Sequence, residues 1–250
     1  DAGDDDHGRH GLAHPLDRAA GQAAHATPDA SHQGMTLAGI EARAAEHHLM
    51  VMGAFHPDEG DDLPADIATL VLLGPAGGPG YWAHVTTETE WDGHPDPIDR
   101  WSRRVIGQMA CDLGGKAYFP FGGPPWKPFI AWAKRSGRAW TSPVTILVHD
   151  AAGLFVSYRG AVGLREKLDL PQPGERPCDR CEGKPCLTAC PVSALTEAGY
   201  DVPACHAYLD TPPGMDCMTG GCAVRRACPV SRRYGRVAGH SAYHMGQFHR

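Results

Sequence analysis

Eight of the nine cysteines lie close together, between Cys178 and Cys228. The letters ACPVS occur twice in this stretch, at 189–193 and at 227–231, and each copy follows further cysteines. In one iron–sulfur pattern, three closely spaced thiolates bind one cluster and the cysteine before proline binds a second cluster. The first motif, CDRCEGKPCLTACP, fits that pattern with one lengthened loop. The spacing therefore predicts two [4Fe–4S] clusters.

The repeated Cys-Pro predicts that the two motifs exchange one ligand each, as in a pseudo-symmetric pair. The predicted ligands of cluster one are Cys178, Cys181, Cys186 and Cys228, and those of cluster two are Cys190, Cys205, Cys217 and Cys222. Cys205, in the segment ACHAYL, is assigned because no other cysteine is left in this region. Cys111 is spare, and we expect it to be a small buried hydrophobic residue of a helix.

Zinc and disulfides are the alternatives for these cysteines. The pair Cys178-x2-Cys181 by itself would suit a zinc knuckle, but the spacing of the later cysteines does not continue that pattern. Disulfide frameworks are typical of small secreted domains that lack a core, whereas core-forming sequence precedes this region. Both alternatives stay open behind the iron–sulfur interpretation.

Other polar residues surround the second Cys-Pro. Five arginines lie there, and they predict either a docking site for an acidic partner or anionic substrate, or a solvated face. They are Arg225, Arg226, Arg232, Arg233 and Arg236. His240 and His244 are four residues apart on a possible helix face. Two ligands are too few for a metal site, so we expect surface or core histidines.

The elements that must position these groups form a mixture without regular βα alternation, which predicts an α+β fold. Residues 67–73 read as a buried strand, and Asp96-Pro97 begins a helix with one apolar face. Residues 144–148 and 153–158 read as a hairpin. We predict a disordered or extended tail over 1–34, an α+β domain over 35–170 and a ferredoxin-like domain over 171–250.

The segment FPFGGPPWKPFIAWA, at 119–133, combines glycine, proline and aromatic residues. It is either a structural turn whose aromatic side chains enter the core, or a rigid loop over a cofactor with Trp126 as a contact. If the second interpretation holds, a cavity should open between this loop and the strand that carries Tyr158. That cavity should lie beside cluster two, because electrons need a continuous path.

Composition limits the possible functions. The chain has 250 residues, 42% of them hydrophobic and 21% charged, with a formal net charge of −6. These values are ordinary for a folded soluble protein and argue against nonspecific nucleic-acid binding. No apolar run is long enough for a membrane span, and no export signal is visible. We expect a cytoplasmic protein, although a signal removed before Asp1 stays open.

The order of the cysteines resembles the ferredoxin module of epoxyqueuosine reductases and reductive dehalogenases. The chain from Met35 onward also resembles bacterial dicluster ferredoxin-like proteins, through FPFGGPPWKPF, GLFVSYRGA and CMTGGCAVRRACPV. The resemblance implies a nitroreductase-like α+β domain before the clusters, with Cys205 as a ligand of cluster two. It also implies Tyr158 and Arg159 as cofactor-binding residues. Cobalamin is a possible cofactor, but the catalytic segment of epoxyqueuosine reductases has no counterpart here, which argues against cobalamin and queuosine chemistry.

The most economical function is iron–sulfur electron transfer. The chain would be the component of an oxidoreductase that passes electrons from two clusters to a cofactor or substrate in the α+β domain. The partner would be a redox protein or a small-molecule substrate. A pure ferredoxin-type carrier and a structural metalloprotein are the alternatives. The length of the α+β region favours the first function, because a bare carrier needs little sequence beyond its clusters.

Overall fold

The computed structural model describes residues 35–249 of the chain. The predicted tail, 1–34, lies outside the described residues. The described part mixes helices with antiparallel strands, which is compatible with an α+β class. The strands are β1 (Leu49–Phe55), β2 (Thr69–Pro75), β3 (Lys116–Tyr118), β4 (Ala139–Thr141), β5 (Leu147–His149), β6 (Gly160–Leu164), β7 (Leu195–Thr196) and β8 (Gly199–Tyr200).

Most helices are short, and five of them lie in the cysteine-rich region. They are α1 (Leu37–Glu46), α2 (Gly80–Val85), α3 (Pro97–Asp112), α4 (Phe129–Arg135), α5 (Val202–Leu209), α6 (Met215–Gly220), α7 (Ala223–Ala227), α8 (Pro229–Tyr234) and α9 (Ala238–Phe248). No helix in the described residues is long and apolar enough to cross a membrane.

The main sheet has four antiparallel strands in the order β1-β2-β6-β3. All seven residues of β2 are buried, as the apolar run predicted. Strand β6 lies between β2 and β3, with Val162 opposite both Val71 and Ala117. The prediction that a strand carries Tyr158 was wrong, because β6 begins only at Gly160 and Tyr158 and Arg159 directly precede it. The sheet therefore fixes the backbone position of these two residues.

Helix α3 begins at Pro97, as the sequence predicted, and its apolar stripe covers one face of the sheet. The apolar face that the sequence predicted is buried, and it includes Ile98, Trp101, Val105 and Met109. The prediction for Cys111 was wrong, because its side chain is exposed. It follows Met109 and Ala110, the last buried residues of α3, and lies off their stripe.

The predicted hairpin between 144–148 and 153–158 forms only as a single bridge. His149, the last residue of β5, and Gly153 exchange backbone hydrogen bonds of 3.0 and 2.9 Å around a turn at 150–152, while β5 otherwise pairs with β4. The pairing stops at Gly153, where φ is +58°, and the backbone N–H of Leu154 donates to Ser231 Oγ at 2.8 Å. The segment after Gly153 therefore bonds to the cysteine-rich region and does not continue along β5.

The cysteine-rich region shares a hydrophobic core with the preceding sequence. Val144, Val148 and Leu154 pack with residues that come after the predicted domain boundary, among them Cys186 and Cys228. The residues from Met35 onward form one compact unit. The boundary after residue 170 and the nitroreductase-like assignment remain predictions.

Gly153 and Gly114 provide a matched test of the close approach between Gly153 and Ser231. Both have a φ near +60°, but a Cβ at Gly153 would overlap the backbone of Ser231, whereas a Cβ at Gly114 would meet nothing within 4 Å. Gly114→Ala should cost about 1–2 kcal/mol of backbone strain. Gly153→Ala should cost roughly 1–3 kcal/mol more, because the new Cβ would also be forced against the backbone of Ser231. Thermal unfolding midpoints measure the difference, and equal losses would show that the Ser231 contact carries no stability.

Candidate functional site

Short turns and helices hold the eight clustered cysteines. Cys178 and Cys186 lie in single 3-10 turns that each begin with proline, at Pro177–Arg180 and Pro185–Leu187. Proline suits that first position because its missing N–H would have no partner there. Cys228 directly follows α7 and precedes Pro229, and its backbone is extended (φ −63°, ψ 124°). A residue before proline is pushed out of the helical region, so the Cys-Pro motif redirects the chain at this ligand.

The eight cysteines divide between two cavities. Cavity A, of about 700 Å³, is lined by Cys178, Cys181, Cys186 and Cys228. Cavity B, of about 250 Å³, is lined by Cys190, Cys205, Cys217 and Cys222. These are the two sets that the spacing of the sequence had assigned to separate clusters. Cys111 lines neither cavity.

The thiols of each set also influence one another. Burial raises the pKa of Cys178, and the nearby Cys186 and Cys228 raise it further. Burial likewise raises the pKa of Cys205, although a hydrogen bond from Tyr200 opposes this and Cys222 adds to it. Thiols with raised pKa values stay protonated at neutral pH in the absence of a cation. Binding of a metal would therefore have to displace protons from both cavities.

The cysteines of the two cavities can be compared with the ligands that a zinc ion needs and with those that a [4Fe–4S] cluster needs. Among residues 35–249, no group of three or more His, Cys, Asp or Glu side chains has the geometry to hold a single metal ion. A zinc ion needs four donors at about 2.0–2.3 Å from one point. A [4Fe–4S] cluster instead needs four thiolates, one for each of its irons, so its ligands surround a volume. Four cysteines around each cavity fit that second kind of site.

Two further donors face the sulfurs of cavity B. The Ala194 backbone N–H donates to Cys190 Sγ at 3.2 Å, and the Tyr200 hydroxyl donates to Cys205 Sγ at 3.4 Å. Such bonds stabilise a thiolate over a thiol. Sequence reasoning missed Tyr200, which belongs to the two-residue strand β8. Nothing in its local pattern distinguishes it from a surface residue.

Two arginines without carboxylate partners also line cavity B. Arg225 donates to the carbonyl of Leu154 at 2.5 Å, and Arg236 donates to the carbonyl of His240 at 3.2 Å. Neither forms an ion pair within residues 35–249. Burial, together with the positive charge of Arg225, lowers the pKa of Arg236 to about 9. Both side chains are half-buried, and cations held partly away from water need a nearby negative charge, so this arrangement suits an anionic occupant of cavity B.

The other three arginines near the second Cys-Pro do not line cavity B. Arg226 forms an ion pair with Asp216, and Arg232 and Arg233 are exposed. The five arginines therefore do not act as one surface: Arg225 and Arg236 turn inward, and only the others meet solvent or a surface partner.

The two histidines of α9 lie inside the protein. His240 is buried and stacks on Trp82, with the ring planes 9° apart. His244 lines cavity B, and its Nε2 lies 3.2 Å from Nε2 of His240. Burial lowers the pKa of both histidines, to about 2 for His240. They are therefore neutral at physiological pH and add no charge to the cavity.

A third cavity, cavity C, lies where the sequence analysis expected one. It has a volume of about 550 Å³ and is bounded by Phe121 and Phe129 of the loop region and by Tyr158 and Arg159. It shares four lining residues with cavity B, which are Ile146, Val156, Ser157 and Arg225. Cavities B and C are therefore neighbours.

The aromatic loop contributes to this cavity in a different way from the one proposed for Trp126. Trp126 is 63% exposed and is not among the residues that line cavity C. Trp132 is fully buried, and its Nε1 donates to the carbonyl of Asp61 at 3.0 Å. Trp132 thus packs in the core and Trp126 lies at the surface. Phe121 and Phe129 form the aromatic wall of cavity C.

Comparison with models of known families, with curated proteins and with solved structures finds no match to this chain. The resemblance to dicluster ferredoxin-like proteins therefore rests on the sequence motifs, and it remains a prediction.

The unpaired arginines yield a test that needs no knowledge of the occupant. If cavity B holds an anion, Arg236→Met should break a half-buried charge pair and destabilise the protein by about 1–3 kcal/mol. If the cavity holds none, removing a half-buried unpaired cation should leave stability unchanged or raise it. Thermal unfolding of the protein as isolated without air measures the sign. Arg232→Met, which removes an exposed arginine, is the control and should change stability by about 0.5 kcal/mol at most.

Proposed function

We propose that this protein transfers electrons through two [4Fe–4S] clusters, one in cavity A and one in cavity B, to a substrate or cofactor in cavity C. The observation that carries the proposal is the division of eight cysteines into two sets of four. Each set lines its own cavity, and each contains one cysteine from the other motif's Cys-Pro. This crossed arrangement is the one that two-cluster ferredoxins use.

The clusters, when bound, would supply reversible uptake and release of single electrons. The chain's own residues set how readily this happens. Arg225 and Arg236 stabilise negative charge in cavity B, and the Tyr200 hydroxyl donates to one sulfur. Positive charge and hydrogen bonds at the sulfurs both favour the reduced state, which raises the potential within the wide range of about −700 to +450 mV.

The three cavities suggest an order for electron transfer. Exposed residues, including Arg180 and Lys184, line cavity A, so a redox partner can approach it from solvent. Cysteines of cavities A and B pack on the same hydrophobic cluster. Cavity C adjoins cavity B through Arg225. We therefore propose that electrons enter at A, pass to B and leave at C.

Cavity C favours a reductase component over a bare electron carrier, because a carrier needs no binding cavity beside its cluster. The number of free thiols suits a reducing compartment, so we also propose a cytoplasmic location. The order of the cysteines supports, as part of the same proposal, kinship with the dicluster ferredoxin-like proteins.

Metal analysis of the protein purified without air tests the proposal. We expect about eight irons and about eight sulfides per chain, with a brown colour that bleaches on reduction by dithionite. About one zinc per cavity and no visible absorption would overturn the cluster assignment.

A variant of Cys205 tests the ligand assignment of cavity B most directly, because Cys205 was assigned only as the one cysteine left in this region. Cys205→Ala should lose one iron or all of the cluster in cavity B, while cavity A keeps its iron. Cys111→Ala is the matched control and should keep the full iron content, since Cys111 lines neither cavity. Full iron in Cys205→Ala would mean that another group completes the site.

A further inference from the structure

The charges that line cavity C define what it can bind. Three cations and one acid face it, which are Lys134, Arg159, Arg225 and Asp99. Arg159 is neutralised, because its Nη1 lies 3.1 Å from Asp99 Oδ1. That pair leaves two positive charges on the lining.

Neither of these two charges is satisfied within residues 35–249. Arg225 donates only to the carbonyl of Leu154, and no carboxylate lies within ion-pair distance of it. Lys134, at the exposed end of α4, likewise has no ion pair in the described part of the chain. One of the cations is therefore at the wall shared with cavity B, and the other is in contact with solvent.

The remaining walls are largely apolar. Phe121, Phe129 and Tyr158 supply aromatic surface, and aliphatic side chains such as Ile146 and Val156 fill the gaps. The volume of about 550 Å³ lies within the range of small-molecule sites. A flat apolar body would lie against the aromatic walls, because rings pack well by stacking or by edge contact.

We propose that cavity C binds a small organic anion with a planar apolar body, of the aromatic carboxylate class, and that Arg225 and Lys134 hold its anionic group. Arg225 also lines cavity B, so a molecule bound to it lies one side chain from that cavity. The role of the bound molecule as electron acceptor rests on the proposed function, whereas binding of the anion does not.

Calorimetric titration with benzoate and with benzamide, its neutral counterpart, tests this site on the protein purified without air. Benzoate should bind roughly tenfold more tightly than benzamide, because only the carboxylate forms charge-assisted bonds. Lys134→Gln should weaken benzoate about fivefold, as expected for a solvent-exposed ion pair, and should leave benzamide unchanged. Arg225→Gln should weaken benzoate about tenfold or more.

Lys167→Gln is the control, since Lys167 is exposed and does not line cavity C. It should bind benzoate as the unmodified protein does. Equal affinity for benzoate and benzamide, no binding of either, or a Lys134→Gln protein with unchanged benzoate affinity would each overturn the anion site. Because Lys134 is exposed, its variant tests the site even if the Arg225→Gln protein does not fold.

Iron analysis of the same samples separates the two proposals. Full iron without preference for benzoate overturns the anion site and leaves the electron-transfer function standing. A clear preference for benzoate in a protein without iron supports the anion site and overturns the electron-transfer function.

Discussion

A charge that is withdrawn from water must be compensated by an opposite charge nearby. This constraint applies above all to the unpaired arginines of cavity B. Four thiols and two guanidinium groups line the same small volume. Burial raises the pKa of Cys205 and Cys217, so these two thiols alone would stay protonated, and the arginines alone would be half-buried cations without a carboxylate partner. An occupant with a positive metal core and a net negative charge satisfies both, because the core binds the thiolates and the arginines balance the total.

The rest of the fold can be understood as the scaffold for that compensation. The sheet fixes the segment before β6, and Gly153 turns the preceding chain against Ser231. Leu154 then packs with Val224 and presents its carbonyl to Arg225. The sequence before residue 170 thus positions an arginine of the cysteine-rich region. Helix α9 packs against α6 and closes cavity B from the other side with His244.

Local patterns predicted much of this arrangement. The apolar run of β2 and the stripe of α3 were recognisable because periodicity depends only on neighbouring residues. The grouping of the cysteines was also predictable, since Cys-Pro redirects the chain locally. Cys205 was the one cysteine of the region left to complete the second set of four. The position of cavity C followed from the need for a continuous electron path.

What sequence reasoning missed depends on contacts between distant segments. The expected hairpin extends no further than the bridge between His149 and Gly153, because Leu154 bonds to Ser231, which lies far along the chain. Cys111 was expected to be buried, but it lies beyond the last buried residues of α3. The roles of Tyr200 and Lys134 also had no local signal, because each depends on a cavity assembled from several elements. Trp126 was chosen for its aromatic ring, but Phe121 and Phe129 are the residues that line the cavity.

X-ray diffraction from crystals grown without air, with data collected at the iron absorption edge, would locate any iron in cavities A and B directly. We expect two separate groups of iron, one bound by Cys178, Cys181, Cys186 and Cys228 and the other by Cys190, Cys205, Cys217 and Cys222. A single zinc ion in each cavity, disulfides among these cysteines, or an iron group that draws its ligands from both sets would rule out the two-cluster assignment.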